Sequence, residues 1–250
     1  MAIAYVRDTG KIRAENVNTS AASFGVLPAV NNHVFTLVSG WHNTVFDLSS
    51  VADNQSNTYV IDKAQNDGSS SAKAEASITS SKVETSAGTF TVTISPQDTS
   101  GNYIEWIAAE FSGLVTTSWL DKTGSATTAS GVTTITATAS AQNSQADVLV
   151  LACFVDNVAD PTCNITTPTG YTALFVNQDA TATIGAQGSY KIVSAIETSA
   201  ATWNFDNIAA GGSGAAIATF KAAAAAGQTL DMWNPGIVRP HSGQIGLVTY

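Results

Sequence analysis

The chain reads as all-β: an antiparallel β-sandwich or jelly roll with two similar halves, followed by an extended C-terminal tail. Three observations predict this. Apolar residues alternate with Thr or Ser in short runs, as in Gly88-Thr-Phe-Thr-Val-Thr-Ile-Ser95, and a period of two marks a half-buried strand. Clusters of Asn, Asp, Gly and Ser punctuate those runs, among them Asp53-Asn-Gln-Ser-Asn57 and Gln65-Asn-Asp-Gly-Ser-Ser-Ser71, which is the grammar of many short strands. No stretch before residue 221 sustains a helical period with caps.

Residues 2–7 form a first strand, closed by the turn Asp8-Thr-Gly-Lys11, and residues 16–23 are a polar loop. Residues 34–41 are a clear strand, with Phe35, Leu37, Ser39 and Trp41 on one face and Val34, Thr36 and Val38 on the other. Residues 44–51 follow, then the 53–57 turn and a strand at 58–61. Residues 72–79 are weakly patterned and read as an edge strand. Residues 89–95 turn Phe90, Val92 and Ile94 inward, and Pro96 ends the strand because it cannot donate to a ladder. The run Tyr103-Ile-Glu-Trp-Ile-Ala-Ala-Glu-Phe-Ser-Gly-Leu114 is the most aromatic and aliphatic of all and reads as a central core strand. Further strands are predicted at 132–139, 147–155, 171–176, 189–194, 201–205 and 214–221. The 147–155 run is apolar throughout, as suits a strand covered on both faces.

The same order of strand, loop, tyrosine-bearing turn, polar stretch, alternating strand and final apolar strand begins at His33 and again at Asp147. Pseudo-repeats at about 33–114 and 147–222 are the reading, both contributing strands to one sandwich, with 118–144 as a crossover. The sandwich would occupy residues 1–222, leaving 223–250 as a C-terminal arm. Prolines and glycines break every long element in that arm, yet it is apolar. It is too short for a core of its own, so it must dock on the body or on a neighbouring chain. Leu230, Met232, Trp233, Ile237, Val238, Arg239, Leu247 and Tyr250 are its candidate interface residues.

Composition narrows the function classes. Only 12% of the 250 residues are charged, against about 25% in an ordinary globular protein. The net charge is −9 with ten Lys and Arg, and no basic stripe is present, so neither a nucleic-acid partner nor a membrane surface is expected. The first residues lack the pattern of a secretory signal, and no apolar run approaches the ~20 residues of a bilayer span. Synthesis in a cytoplasm is therefore expected. Cys153 and Cys163 form either a disulfide or, in a reducing compartment, two free thiols. Without nearby His they cannot complete a zinc site.

The candidate chemistry is thin. Glu105 and Glu110 differ by five positions, so a strand points them to opposite faces about 17 Å apart, too far for a glycosidase pair. Gly211-Gly-Ser-Gly214 resembles half a nucleophile elbow but leads into a strand, and reads as a β-turn. His33, His42 and His241 are isolated. Asp53, Asn54 and Asn57 offer oxygens but one carboxylate only, and suit Asx turns better than calcium. Trp41, Trp106 and Trp203 sit in strand patterns and belong to the core; Trp119, in a loop, is the one tryptophan kept as a possible ligand contact. No catalytic residue, metal or cofactor is expected, and the chain does not read as an enzyme.

Four segments carry a resemblance: Ala2-Ile-Ala-Tyr-Val6, Val51-Ala-Asp-Asn-Gln-Ser-Asn-Thr-Tyr59 after a Trp-bearing strand, Glu110-Phe-Ser-Gly-Leu114, and Ala216-Ile-Ala-Thr-Phe-Lys221. Over residues 2–222 the chain resembles β-sandwich proteins found among tailed-phage and phage-derived virion genes. Such proteins often carry Gly before the Asn at position 57; here Ser56 precedes it, leaving the turn type open. The resemblance implies a structural or appendage role on a virion, with no catalytic residues to carry over. The expectation is a capsid decoration or other surface component, made in the host cytoplasm and placed on the virion surface. Its partners would be copies of itself or another virion protein, engaged through the C-terminal arm. The alternative is a carbohydrate-binding module for host or environmental glycans.

Overall fold

A computed structural model describes residues 2–68, 73–98, 100–129, 131–157, 164–177, 184–206 and 211–224. Within them every regular element is a strand and every pairing is antiparallel. In chain order these are β1 (Ala4–Asp8), β2 (Ile12–Glu15), β3 (Ser20–Ser23), β4 (His33–His42), β5 (Leu48–Asp53), β6 (Val60–Asn66), β7 (Ala74–Lys82), β8 (Thr91–Pro96) and β9 (Asn102–Ser112). There follow β10 (Leu120–Thr128), β11 (Thr134–Thr138), β12 (Val148–Asp156), β13 (Ile165–Thr166), β14 (Thr172–Asn177), β15 (Gly185–Val193), β16 (Ala200–Phe205) and β17 (Ser213–Lys221). The arm residues Leu230, Met232, Trp233, Ile237, Val238, Arg239, Leu247 and Tyr250, together with Cys163 and His241, lie outside the described residues.

Four sheets stack as layers. One inner sheet runs β1-β9-β4-β7-β6, with β2 also on β9, and the other runs β10-β17-β12-β15-β14. The outer sheets are β3-β8-β5 and β11-β16-β13. Strand alternation builds three cores from these layers. Between the inner sheets lie Phe35, Leu37, Ile107, Phe111, Leu149, Leu151 and Phe220. The opposite faces of the same strands send Val34, Val38, Ile104 and Trp106 to meet Phe90, Val92 and Ile94 of β8. Val148, Val150, Ala152 and Phe154 meet Ile135, Trp203 and Phe205 of the second outer sheet. Burying each of these large side chains is worth about 1.5–3 kcal/mol, which explains why low charge and abundant Thr and Ala suffice.

The predicted faces of 34–41 and 89–95 match the packing, and β12 is covered on both sides as its continuous apolar run requires. Other expectations change. Residues 72–79 read as an edge; β7 is interior, hydrogen-bonded between β4 and β6. Its Ser and Thr hid it, because Thr79 and Thr36 satisfy each other through a 2.7 Å hydroxyl bond across the sheet. The 16–23 loop ends in β3, and the supposed crossover at 118–144 holds both β10 and β11. The two sets of strands meet as whole sheets rather than interleaving: each sheet takes its strands from one side of residue 115 only, and one inner sheet of each set faces the other across the central core.

Raising every strand label from β2 to β9 by eight converts the first pair of sheets into the second. Irregularities recur with the order. The bulge between Tyr5 and Arg7 on β1 matches that between Leu120 and Lys122 on β10. The bulge between Ile61 and Lys63 on β6 matches that between Ala173 and Phe175 on β14. Contacts across the central core are reciprocal: β17 packs on β7 as β9 packs on β15, and β12 on β7 as β4 on β15.

Candidate functional site

The linker between the two sets of strands is where the chain leaves unfilled space. After β9, Leu114 bridges Ala222, Val115 N–H donates to Lys221 O at 3.1 Å, and Lys221 N–H donates to Trp119 O at 2.8 Å. These bonds fix Trp119 at the rim of the central core. Its ring lies edge-on to His33, with centroids 4.9 Å apart, and its indole N–H donates to Ser80 Oγ at 2.8 Å. Trp119, Ser118, Leu120, Val60 and Asp62 line an open cleft of about 210 Å³. The expected ligand-contact tryptophan therefore does border a cleft, but half-buried and with its polar atom already engaged.

Asp62 is the extra residue of the β6 bulge, opposed by no partner residue on β7. Its Oδ2 is buried without a hydrogen-bond partner. Burial pushes its carboxyl up to about 7, against a smaller opposing effect from the Ser80 hydroxyl. Burial likewise pushes His33 down to about 4, so its imidazole is neutral at ordinary pH.

The glutamates of β9 face opposite ways, as their spacing requires. Glu110 pairs with Arg7 at 2.8 Å and accepts the Ala29 N–H. Glu105 lies 3.7 Å from Lys11 and 3.9 Å from Arg13. Neither borders the cleft. Ser213 of the Gly-rich stretch donates to Asp156 Oδ1 at 2.7 Å rather than to a histidine. Gly212 is required because a Cβ there would overlap the Thr128 and Asp67 carbonyl oxygens. His42 bonds Ser100 O through Nε2, at 2.6 Å, and Thr44 through Nδ1. Among the described residues no group of three or more His, Cys, Asp or Glu could hold a metal.

The 53–57 loop is an Asx turn. Asp53 Oδ1 accepts the Gln55 and Asn57 N–H groups, and Asn57 Oδ1 accepts those of Glu84 and Thr85. Ser56 sits at φ 64°, the left-handed conformation that a glycine adopts without strain. Trp106 and Trp203 are core residues whose indoles donate to Ser20 and Gln187; Trp41, half-buried, donates to Asn157 Oδ1 at 2.7 Å. Cys153 is a buried free thiol beside Val38 O and Ser39 Oγ, pushed up to about 12 by burial.

Three carboxyls that burial raises are not marked out in the sequence: half-buried Asp62 and buried Glu75 and Asp156. Burial lifts Glu75 to about 7 and Asp156 to about 6. The available signal was a lone acid inside or ending an apolar or hydroxyl-rich strand. A second concavity, of about 320 Å³, lies on the outer sheet between Thr133, Thr134, Asn164, Thr166, Asn204, Phe205 and Asp206. It offers hydroxyls, amides and a carboxylate that Asn164 hydrogen bonds hold below the usual range. Its one ring, Phe205, is buried.

No protein-family model, no curated protein and no solved structure matches the chain.

Proposed function

We propose that this protein is a non-enzymatic structural component of a virion, most simply a capsid decoration or other surface component that assembles through its C-terminal arm. We further propose that its finer architecture is a jelly roll duplicated within one chain. The observation that carries the reading is the doubled build. Two sets of sheets with the same strand order meet through a reciprocal face. That leaves outer sheets on opposite sides of the molecule, with exposed Thr134, Thr136, Thr138 and Thr202 on one of them. Such a block presents recurring surfaces to neighbours, as symmetric assemblies require. Glu105 and Glu110 support the reading, since both are committed to ion pairs. The partners are copies of the chain or another virion protein, and the location is the virion surface.

Mass spectrometry of purified particles is the test. The chain should appear at a fixed ratio to the principal shell protein; its absence from washed, intact particles would overturn the reading. The alternative, a glycan-binding module, draws on the polar groove around Asn164, Asn204 and Asp206. Retention of the chain on a glycan affinity gel, lost on substituting Asn204, would favour it.

A further inference from the structure

The central core is filled at one end and open at the pseudo-equivalent end. Tyr5 and Leu120 hold equivalent places, opposite Phe111 and Phe220. Tyr190 and Ser80 are equivalent too: Tyr190 lies opposite Leu151 and Thr172, and Ser80 opposite Phe35 and Val60. The extra residues of the two matched bulges are Leu174 and Asp62. At the first end Tyr5 stacks on Tyr190 with centroids 5.6 Å apart, and both rings meet Phe111 edge-on. At the second end a serine and an aspartate stand where the first has a tyrosine and a leucine, beside the cleft of about 210 Å³. That is roughly seven times the ~30 Å³ that one water occupies in the liquid.

The wall of this cleft sets one acid among apolar groups. Val60 is 50% and Leu120 37% exposed, and the Trp119 ring completes the apolar lining. Asp62 is the one ionisable side chain among the lining residues. Its carboxyl is held from one side only. The Trp119 indole N–H donates to Ser80 Oγ at 2.8 Å, the Ser80 hydroxyl donates to Asp62, and Asp62 Oδ2 has no partner. A desolvated carboxylate oxygen without a donor is costly, and a cation that brings a donor removes that cost. An indole face attracts the same cation, and an alkyl stem suits the valine and leucine walls. A sugar would find a single polar side chain to bond, and an anion would be repelled.

We propose that the cleft binds a small primary alkylammonium ion, with its chain against Val60, Leu120 and Trp119 and its ammonium paired with the Asp62 carboxylate. The inference goes beyond a structural role and stands whether or not the protein belongs to a virion. Binding must strengthen as the pH rises through about 7, where Asp62 ionises, because an alkylammonium, like that of lysine, stays charged to about pH 10. Around Asp62, Ser80 faces it from β7, Trp119 from the linker and Leu120 from β10, while Lys63 follows it on β6. Nearby charges are engaged with each other, Lys122 with Asp121 at 3.0 Å and Lys82 with Glu84 at 2.6 Å, and His33 behind Trp119 is neutral. Glu75 and Asp156 titrate over the same range, so a variant of Asp62 is needed to assign the effect.

NMR titration of the full-length protein with n-butylammonium, read on the Trp119 indole N–H resonance that Trp119→Phe removes, tests the proposal. At pH 8 the shift should saturate; at pH 5.5, where Asp62 is protonated, binding should be at least about tenfold weaker. Neutral n-butanol, of the same shape, should bind at least about tenfold more weakly than the amine at pH 8. Asp62→Asn should bind the amine equally weakly at both pH values, with the Trp106 and Trp203 resonances unmoved to show that the fold survives. No saturable shift at pH 8, equal binding of amine and alcohol, or a pH dependence that persists in Asp62→Asn would each overturn the proposal. The pH and butanol comparisons use the parent chain, so they decide even where the variant does not fold.

Discussion

Replacing Asp62 by Asn should make the protein more stable at alkaline pH and leave it almost unchanged below about pH 4. In the unfolded chain the carboxyl ionises at its ordinary 3.8; in the folded chain burial raises it to about 7. Between those values the folded state holds a proton that the unfolded state has released, so stability increases as the pH falls from about 7 to about 4 and is fully recovered only below the unfolded value. The shift of roughly three units, at about 1.4 kcal/mol each, sets a ceiling of about 4 kcal/mol on the penalty carried above pH 8. Water reaching a side chain at the rim of an open cleft reduces that to about 2 kcal/mol. Asn keeps the shape and can still accept the Ser80 hydroxyl, but has no charge to desolvate. Urea unfolding at several pH values between 3.5 and 8.5 measures the difference. Asp62→Asn should gain about 2 kcal/mol over the parent at pH 8.5, keep roughly a third of that gain at pH 5 and converge with the parent below about pH 4. A gain independent of pH, or a loss at pH 8.5, would refute the assignment of a desolvated carboxylate.

Glu75→Gln should remove a second part of the same pH dependence, because Glu75 is lifted to about 7 by burial and by its carboxyl neighbour Asp47. In the same urea series Glu75→Ala should instead cost about 1–3 kcal/mol near pH 4.5, where the parent carboxyl is protonated and unpenalised, since the buried Leu48 N–H loses the oxygen it donates to at 3.2 Å, and should cost less as the pH rises above 7. Gly124→Ala should cost about 3 kcal/mol or more in denaturant midpoint or fail to fold, because a Cβ there overlaps the Thr138 carbonyl oxygen where β10 crosses β11. A midpoint within experimental scatter of the parent would show that the β10–β11 crossing relaxes freely.

The sequence by itself determined the all-β class, most strands, their inward faces and the division of the β9 glutamates. Each of these follows from a local period of two and from turn chemistry such as the Asp53 loop. It also suggested a repeat, through the order of strands after His33 and after Asp147. It could not show β7 as interior, because Thr36 and Thr79 look polar until they meet across a ladder. Nor could it find β10 and β11 as counterparts of β2 and β3, since the equivalence lies in pairing partners and bulges rather than in residue identity. The cleft was beyond its reach for the same reason. Trp119 could be picked out as a loop tryptophan, but its meaning depends on Ser80 and Asp62 standing where Tyr190 and Leu174 stand at the other end. Those four residues are far apart in the chain. Only the stacking of two inner sheets compares them, by closing one end of the core with a pair of tyrosines and leaving the other to an indole, a buried carboxyl and an open space.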